Sequence, residues 1–192
     1  MKKFLILCIA FFLSACATTT PSQTHFIPWP EREARLQKIR TWDVSGSLSI
    51  ATTDHFVFAS YHWQQQNDHY TILLESPLDL VTAKLIGNAH SVTLQNNSKP
   101  PITAYSPDDL VKMVLGWPLP ITPLSEWIRG FPAPHLPYQL QLDAAGRLQT
   151  LQQAGWNIAF LQYQRVRNAD RPTLIRLERP GLRVKLKMNW TS

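Results

Sequence analysis

Apolar and polar residues alternate along most of the chain from residue 42 onward. A period of two is typical of β-strands that bury one face. The final strand shows it most clearly, because apolar residues there alternate with polar or charged ones: Arg183, Val184, Lys185, Leu186, Lys187, Met188, Asn189 and Trp190. The same pattern predicts strands over residues 42–50, 56–64, 70–75, 80–87, 91–95, 138–142, 148–154, 156–163 and 173–178. Many antiparallel strands with one apolar face indicate a curled sheet or a barrel.

Three segments carry helical signals instead. Residues 30–40 begin with proline and have acidic residues early and basic residues late, which suits the two ends of a helix. Ser106 and Pro107 can cap and start a second helix that closes at Gly116. A third helix is predicted to begin at Thr122 and Pro123 and to end before Gly130. The last two helices are apolar over a broad face, so either the sheet or a ligand must cover them. They suit a lid inserted into a sheet protein as well as ordinary core packing.

The N-terminus has the form of a bacterial lipoprotein signal. Two lysines precede an apolar run from Phe4 to Leu13, and small residues lead to Cys16, as in secretory signals. The run has roughly half the length of a membrane-spanning helix. Its Leu-Ser-Ala-Cys end resembles the lipobox, which implies removal of residues 1–15 and lipid modification of Cys16. In Gram-negative lipoproteins an aspartate after the cysteine usually means retention at the inner membrane, so Ala17 implies the outer membrane.

The mature chain is expected to form one domain. Residues 16–28 are rich in Thr, Pro and Ser and lack periodicity, which indicates a flexible lipidated tether. Residues 29–192 are sufficient for a single domain with its own core. The formal net charge of +6 includes Lys2 and Lys3 of the signal, so the mature chain is mildly basic. That charge favours an acidic partner or an anionic surface, and without basic clusters among stacking aromatics it does not indicate nucleic acid binding.

No pattern of catalytic or metal-binding residues is found. One of the two cysteines lies in the signal and the other is Cys16, so the domain has no thiol for a disulfide, a metal site or a nucleophile. The glycines form neither a phosphate loop nor a nucleophile elbow. A helix cap explains Asp108 and Asp109, and His62 and His69, which flank a predicted hairpin and could approach each other, are interpreted as exposed strand-end residues. The sequence predicts no enzyme, metal or cofactor.

Several short segments together resemble the LolB family of outer-membrane lipoproteins, which receive other lipoproteins from the periplasmic carrier LolA. The matching segments are GSLSI at 46–50, WQQ at 63–65, SPL at 76–78, GWPLP at 116–120, LSEWIRG at 124–130, GW at 155–156 and RVKLKM at 183–188. Their order and spacing cover nearly the whole mature chain. The resemblance implies a mainly β fold with inserted helices: a half-open antiparallel β-barrel of about eleven strands, with a helical lid over an apolar cavity.

The cavity of this family holds the acyl chains of cargo lipoproteins. A site for acyl chains must be dry and apolar, because the chains offer nothing to hydrogen-bond. Trp63, Trp127 and Trp156 match family positions near the cavity, and the two predicted lid segments add Trp117, Leu119 and Leu124 as candidates. For each of these side chains, an ordinary place in the core is the alternative.

A membrane-insertion loop is expected at Ser76-Pro77-Leu78-Asp79. Proline in second place suits a tight turn, which puts Leu78 at a hairpin tip. In the LolB family the corresponding leucine protrudes and promotes delivery of cargo into the membrane, so Pro77 and Leu78 are the candidate insertion residues. Asp79 stands where glycine often follows in the family. Packing of Leu78 back onto the barrel is the alternative.

The resemblance implies a monomeric receptor, lipid-anchored in the outer membrane and facing the periplasm. It would accept acylated lipoproteins from a LolA-like carrier and insert them into outer-membrane lipid. Two other interpretations remain open at this stage. One is a periplasm-facing module that binds free lipids or quinone-like molecules, and the other is a structural outer-membrane lipoprotein with a filled barrel. A void lined by the tryptophans would count against the structural interpretation.

Overall fold

A computed structural model describes residues 26–77, 82–88, 90–96, 99–115 and 119–191. Within these residues the chain forms three helices, and they are α1 (Trp29–Gln37), α2 (Pro107–Leu115) and α3 (Ile121–Trp127). The strands are β1 (Thr41–Thr52), β2 (Phe56–Gln66), β3 (His69–Glu75), β4 (Thr82–Gly87), β5 (Val92–Asn96), β6 (Lys99–Ala104), β7 (Tyr138–Leu142), β8 (Leu148–Gln153), β9 (Trp156–Val166), β10 (Ala169–Arg179) and β11 (Leu182–Trp190). No helix of the described part is long and apolar enough to cross a membrane.

All eleven strands belong to one antiparallel sheet in the order β6-β5-β4-β3-β2-β1-β11-β10-β9-β8-β7. The first and last strands meet at its centre, where Val44 pairs with Trp190 and Thr52 with Leu182. The edge strands β6 and β7 are not paired with each other, so the sheet is open. The connection between these two edges contains α2 and α3. The predicted mainly β fold of about eleven strands, half-open and with inserted helices, is confirmed.

Alternation explains which side chains enter the core. In β11 every second residue from Leu182 to Trp190 is buried, and the charged residues between them are exposed. Cross-strand pairing keeps these apolar residues on one face of the sheet, because a shift by one residue would turn them all to solvent. Three tryptophans meet on the inner face: the Trp42 ring centroid lies 5.3 Å from that of Trp63 and 5.8 Å from that of Trp190.

The alternation did not reveal β6. Its sequence, KPPITA, has prolines as its second and third residues, and neither can donate a backbone hydrogen bond. Proline is nevertheless tolerated at an edge, where one side of the strand has no neighbour to accept such a bond, and β6 pairs only with β5. The structure also extends β9 and β10 beyond the predicted ends. A register shift beside Pro172 lets β10 continue past that proline.

Helix α1 is attached to the sheet by one buried arginine. Arg32 donates from Nη1 to Asp170 Oδ2 at 2.7 Å and from Nη2 to the carbonyl oxygen of Ala145 at 2.9 Å. The helix starts at Trp29 and carries proline in its first turn, as its sequence predicts. This attachment places the start of the domain beside the hairpins of the C-terminal half.

Candidate functional site: an apolar cavity under two helices

An apolar cavity of about 120 Å³ lies between the inner face of the sheet and the helical segment. Among the residues that the structure describes, no charged side chain lines it. The lining residues come from β1–β4, β11, α2, α3 and the segment before α3: Leu48, Ile50, Val57, Ala59, Tyr61, Trp63, Ile72, Leu74, Leu85, Val111, Leu119, Ile121, Leu124, Val184 and Leu186. Such a lining excludes water, because a cavity needs several polar partners to hold a water molecule.

Strand register creates this cavity. Ile50 pairs with Val57 and Leu48 with Ala59, so the inward residues of β1 and β2 form one continuous apolar surface. Ala59 has the smallest side chain of the lining residues, and its single methyl group leaves space that a larger residue would fill. The cavity reaches the end of the sheet at Val57, which is half exposed although it lines the cavity.

Two of the lining side chains carry a polar atom, and both atoms are hydrogen-bonded. Trp63 Nε1 donates to Gln65 Oε1 at 3.2 Å. The Tyr61 hydroxyl donates to the carbonyl oxygen of Lys187 at 3.1 Å, and burial raises the pKa of Tyr61 above its usual range. Gly46 makes this contact possible, because a Cβ at that position would lie 1.9 Å from the Lys187 oxygen. No lining group therefore ionises in the neutral range, and the cavity suits an uncharged chain.

The two central helices are joined by a shared cap. Ser106 Oγ accepts a hydrogen bond from the Asp109 amide at 3.2 Å, which confirms the predicted N-cap of α2. Asp108 Oδ1 accepts from the amide of Thr122 at 3.0 Å and from its hydroxyl at 3.3 Å. Asp108 thus satisfies the first turn of α3 from α2, which is a structural role.

Three of the side chains predicted to contact acyl chains line the cavity. Trp63 reaches it from β2, Leu124 from α3, and Leu119 from the segment just before α3. All three are buried. Their contact with an acyl chain stays a prediction, and Trp117 lies outside the described residues.

The other two candidates are buried elsewhere in the core. Trp127 donates from Nε1 to Gln153 Oε1 at 2.8 Å, so it attaches the end of α3 to β8. Trp156 lies at the start of β9, with the Arg179 guanidinium 5.5 Å from its ring centroid. Neither residue lines the apolar cavity. The presence of a tryptophan in a matching segment did not distinguish residues that line the cavity from residues that pack elsewhere in the core.

Gln153 is a key residue that sequence reasoning missed. Only 3% of it is exposed, and its side chain uses both of its polar atoms. Oε1 accepts from Trp127 Nε1 and from the Ala133 amide, each at 2.8 Å, while Nε2 donates to the carbonyl oxygens of Ala133 at 2.9 Å and Leu136 at 3.1 Å. This network fixes the segment that follows α3 against β8. Its partners lie 17 to 26 residues away, beyond any local pattern.

Replacing Gln153 by Leu should destabilise the domain strongly. The substitution leaves the Trp127 indole N–H and the backbone groups of Ala133 buried without partners, and each such group costs roughly 1–3 kcal/mol. We expect the free energy of unfolding, measured by urea denaturation, to fall by about 3 kcal/mol. Gln152→Leu, the same change at the exposed neighbour, should alter it by less than about 0.5 kcal/mol. Equal losses in both variants would contradict this role of Gln153.

A second, more polar groove of about 480 Å³ lies near the opposite end of β2. Its lining includes Glu126 and Arg129, which form an ion pair. Burial raises the pKa of Glu126 and lowers that of Arg129, and the attraction between the two charges opposes both shifts. Burial and the nearby Asp108 charge raise the pKa of Tyr70 to about 12. The groove is open and lined by charges, so it is less suited than the apolar cavity to keep an acyl chain dry.

The remaining candidates form no second site. Among the described residues, no three His, Cys, Asp or Glu side chains are placed to hold a metal ion. His62 lies within β2 rather than at its end, and its Nε2 is 2.9 Å from Asp43 Oδ1. His69 pairs with Gln66, four residues further along β2, so the two histidines are not adjacent.

The predicted insertion loop is only partly described. Pro77 is exposed in a short helical turn directly after β3. Leu78 lies outside the described residues, as do Cys16, the predicted signal peptide and most of the predicted tether. The roles of Cys16, Pro77 and Leu78 stay predictions.

Comparison with known proteins places this architecture in a family. The profile of "Outer membrane lipoprotein LolB" matches residues 40–190. The chain is 37% identical to the outer-membrane lipoprotein LolB of Coxiella burnetii strain RSA 493, over 93% of this chain and 90% of that protein. It is 39% identical to the LolB of Nitrosococcus oceani, over 86% of this chain and 81% of that protein.

Solved structures share the fold at low sequence identity. A LolA superfamily protein from Nitrosomonas europaea superimposes with a TM-score of 0.56 at 11% identity, covering 85% of this chain and 92% of that chain. A DUF1329 family protein from Desulfovibrio piger gives a TM-score of 0.54 at 10% identity, covering 82% of this chain and 87% of that chain. These two similarities concern the fold alone.

The open eleven-stranded sheet, the inserted helices and the apolar cavity define a binding protein with space for an apolar ligand. The chain belongs to the LolB family of outer-membrane lipoproteins. It is therefore an outer-membrane lipoprotein receptor in lipoprotein localisation, and not an enzyme, which confirms the function predicted from the matching sequence segments.

Proposed function

We propose that this protein is anchored by lipid at Cys16, faces the periplasm, and acts as a monomer that accepts acylated lipoproteins from a LolA-like carrier. It then inserts them into outer-membrane lipid. The observation that carries the proposal is the apolar cavity between the sheet and the helices. The void also argues against a purely structural lipoprotein, for which a filled barrel is expected.

The size of the cavity bears on how cargo would bind. An apolar cavity of about 150 Å³ accommodates one benzene molecule, so the 120 Å³ present here accepts only a short part of an acyl chain. A complete chain would require α2 and α3 to move away from the inner face of the sheet. Trp63, Leu119 and Leu124 would then contact the chain from two sides, which gives the helices the role of a lid.

Transfer would be driven by differences in affinity, with no bond formed or broken. A ligand moves from the carrier to the receptor only if the receptor's site binds it more favourably. Purified carrier loaded with radiolabelled cargo tests this directly. We expect the label to move to this protein on mixing and then to liposomes, and a label that stays on the carrier would refute the receptor function.

Mass spectrometry of lipid extracted from the purified protein tests the alternative role in binding free lipids.

Replacing Cys16 by Ala should abolish lipid anchoring. The thiol that receives the diacylglycerol is lost, so we expect uncleaved precursor or soluble protein, with the domain still folded. Metabolic labelling with a radioactive fatty acid measures the modification. Because the folded domain has no other cysteine, label that persists in the variant would place the acylation elsewhere and exclude this assignment.

A further inference from the structure

The first residues of β2 form an exposed apolar segment at one end of the sheet. Phe56 is 71% exposed, Val57 45% and Phe58 47%. A run of three large apolar residues in water is unfavourable and marks an interaction surface when it is contiguous. We infer that this segment, together with Lys185 and Lys187, is a second membrane-contacting element that docks the rim of the cavity on an anionic phospholipid surface.

Strand geometry sends the three side chains in two directions. Val57 lies on the inner face, where it lines the apolar cavity. Phe56 and Phe58 lie on the outer face, because successive residues of a strand point to opposite sides. The segment therefore forms the rim of the cavity itself, apolar on both faces.

The register locates this rim at a defined end of the molecule. The last pair between β2 and β3 at this end joins Ser60 to Glu75, so residues 56–58 extend beyond the end of β3. Pro77 follows β3 directly and is exposed at the same end. The proposed insertion loop thus leaves the sheet at the end that carries the aromatic rim.

Charge identifies the partner. Phe56 and Phe58 line an outer-face groove of about 480 Å³ together with Lys185 and Lys187. Phe58 pairs with Ser49 and Ser49 with Lys185, so the Cα atoms of Phe58 and Lys185 lie two strands apart, roughly 10 Å. No ion pair joins either lysine to another described residue, whereas neighbouring Arg183 is bound to Glu178 at 2.6 Å. Unpaired lysines attract the phosphates of anionic lipids.

Aromatic rings and lysines in this arrangement match a bilayer surface. Aromatic side chains prefer the boundary between the acyl chains and the headgroups, and lysine stems lie along apolar surface while their charges reach the phosphates. The family resides at the outer membrane, so a bilayer surface lies close to the protein. The contact would open the cavity toward the acyl layer at Val57, and cargo would not need to cross water. That delivery role rests on the proposed function, while the membrane contact itself does not.

Spin labelling of the lipidated protein tests the contact without cargo or carrier. The mature domain has no cysteine apart from Cys16, so a single nitroxide can be placed by Phe58→Cys. Gln64→Cys gives the matched control on the same face of β2, six residues further from the rim. In vesicles of phosphatidylethanolamine and phosphatidylglycerol, we expect the label at position 58 to be at least fivefold less accessible to a water-soluble nickel complex than the label at position 64. Equal accessibility would overturn the inference.

Two sets of substitutions separate the parts of the surface. Lys185→Glu with Lys187→Glu should remove most of the protection of the spin label at position 58. Vesicles of phosphatidylcholine alone should have the same effect on the labelled protein that keeps both lysines.

Phe56→Ser with Phe58→Ser should lower incorporation of cargo into vesicles about tenfold, while transfer from the carrier stays within twofold. Leu161→Ser, at an apolar residue of similar exposure (46%) on β9, should change neither. If the Phe56 and Phe58 variant instead fails to accept cargo from the carrier, the surface is a binding site for the carrier, and the membrane contact is overturned.

Discussion

Replacing Ala59 by Leu is expected to abolish acceptance of acylated cargo while the protein remains folded. Ala59 lines the apolar cavity from the centre of its sheet wall, and the longer side chain would occupy the space needed by the acyl chain. Overpacking of a filled core usually costs about 1–3 kcal/mol, but here the added carbons enter a void. We expect transfer from a loaded carrier to fall at least tenfold, with a small change in the melting temperature.

Ala159→Leu is the matched control for this experiment. Ala159 lies on β9, away from the cavity, and pairs with Arg176 on the outer face. The same change there should leave transfer within twofold of the unsubstituted protein. If the Ala59 variant is folded and still accepts cargo at the normal rate, acyl chains bind elsewhere, and the polar groove near Arg129 becomes the next candidate.

Replacing Leu78 by Glu should affect the opposite step, namely release into the membrane. Burial of a leucine side chain contributes about 1.5–3 kcal/mol, which corresponds to a factor of at least ten in an equilibrium. The charge of glutamate further opposes entry into the acyl layer. We expect a folded variant that accepts cargo normally and incorporates it into liposomes at least tenfold less well. Circular dichroism, the transfer assay and the liposome assay measure these properties separately.

The matched control for the loop is Leu142→Glu. Leu142 is an exposed leucine on the edge strand β7, and a charge there should not affect incorporation. Normal incorporation by a folded Leu78 variant would remove the loop from the delivery step. Unfolding of that variant would mean that Leu78 packs in the core, and the rim at Phe56 and Phe58 would then be the principal membrane contact.

Local sequence patterns predicted the structure correctly where that structure depends only on residues close together in the chain. The alternation of β11 matches its observed burial residue by residue, since a strand exposes and buries every second side chain regardless of its partner. The cap at Ser106 also follows from adjacent residues alone. Strand β6 was missed because its two prolines argue against a strand in general, and only its position at an edge makes them acceptable.

The residues that line the candidate site could not be predicted from local sequence patterns. Trp63 and Trp127 are both buried tryptophans in segments that match the family, yet one lines the cavity and the other donates to Gln153. Local sequence cannot separate them, because the difference depends on what lies across the core. Gln153 itself occupies an inward position of β8 where the alternation calls for an apolar residue. Only its partners at the end of α3 and in the segment that follows explain why an amide is stable there.

The sequence by itself determined which faces of the strands are apolar and where the helices begin, because these features are encoded within a few successive residues. The lipoprotein signal at the N-terminus stays a prediction from the sequence. Only the tertiary structure decided that Ala59 and Val57 meet α2 and α3 around a void, and that Phe56 and Phe58 project past β3 beside Lys185 and Lys187. These features depend on strand register and on contacts between residues far apart in the chain. Cavities and docking surfaces arise from such contacts, which no local period specifies.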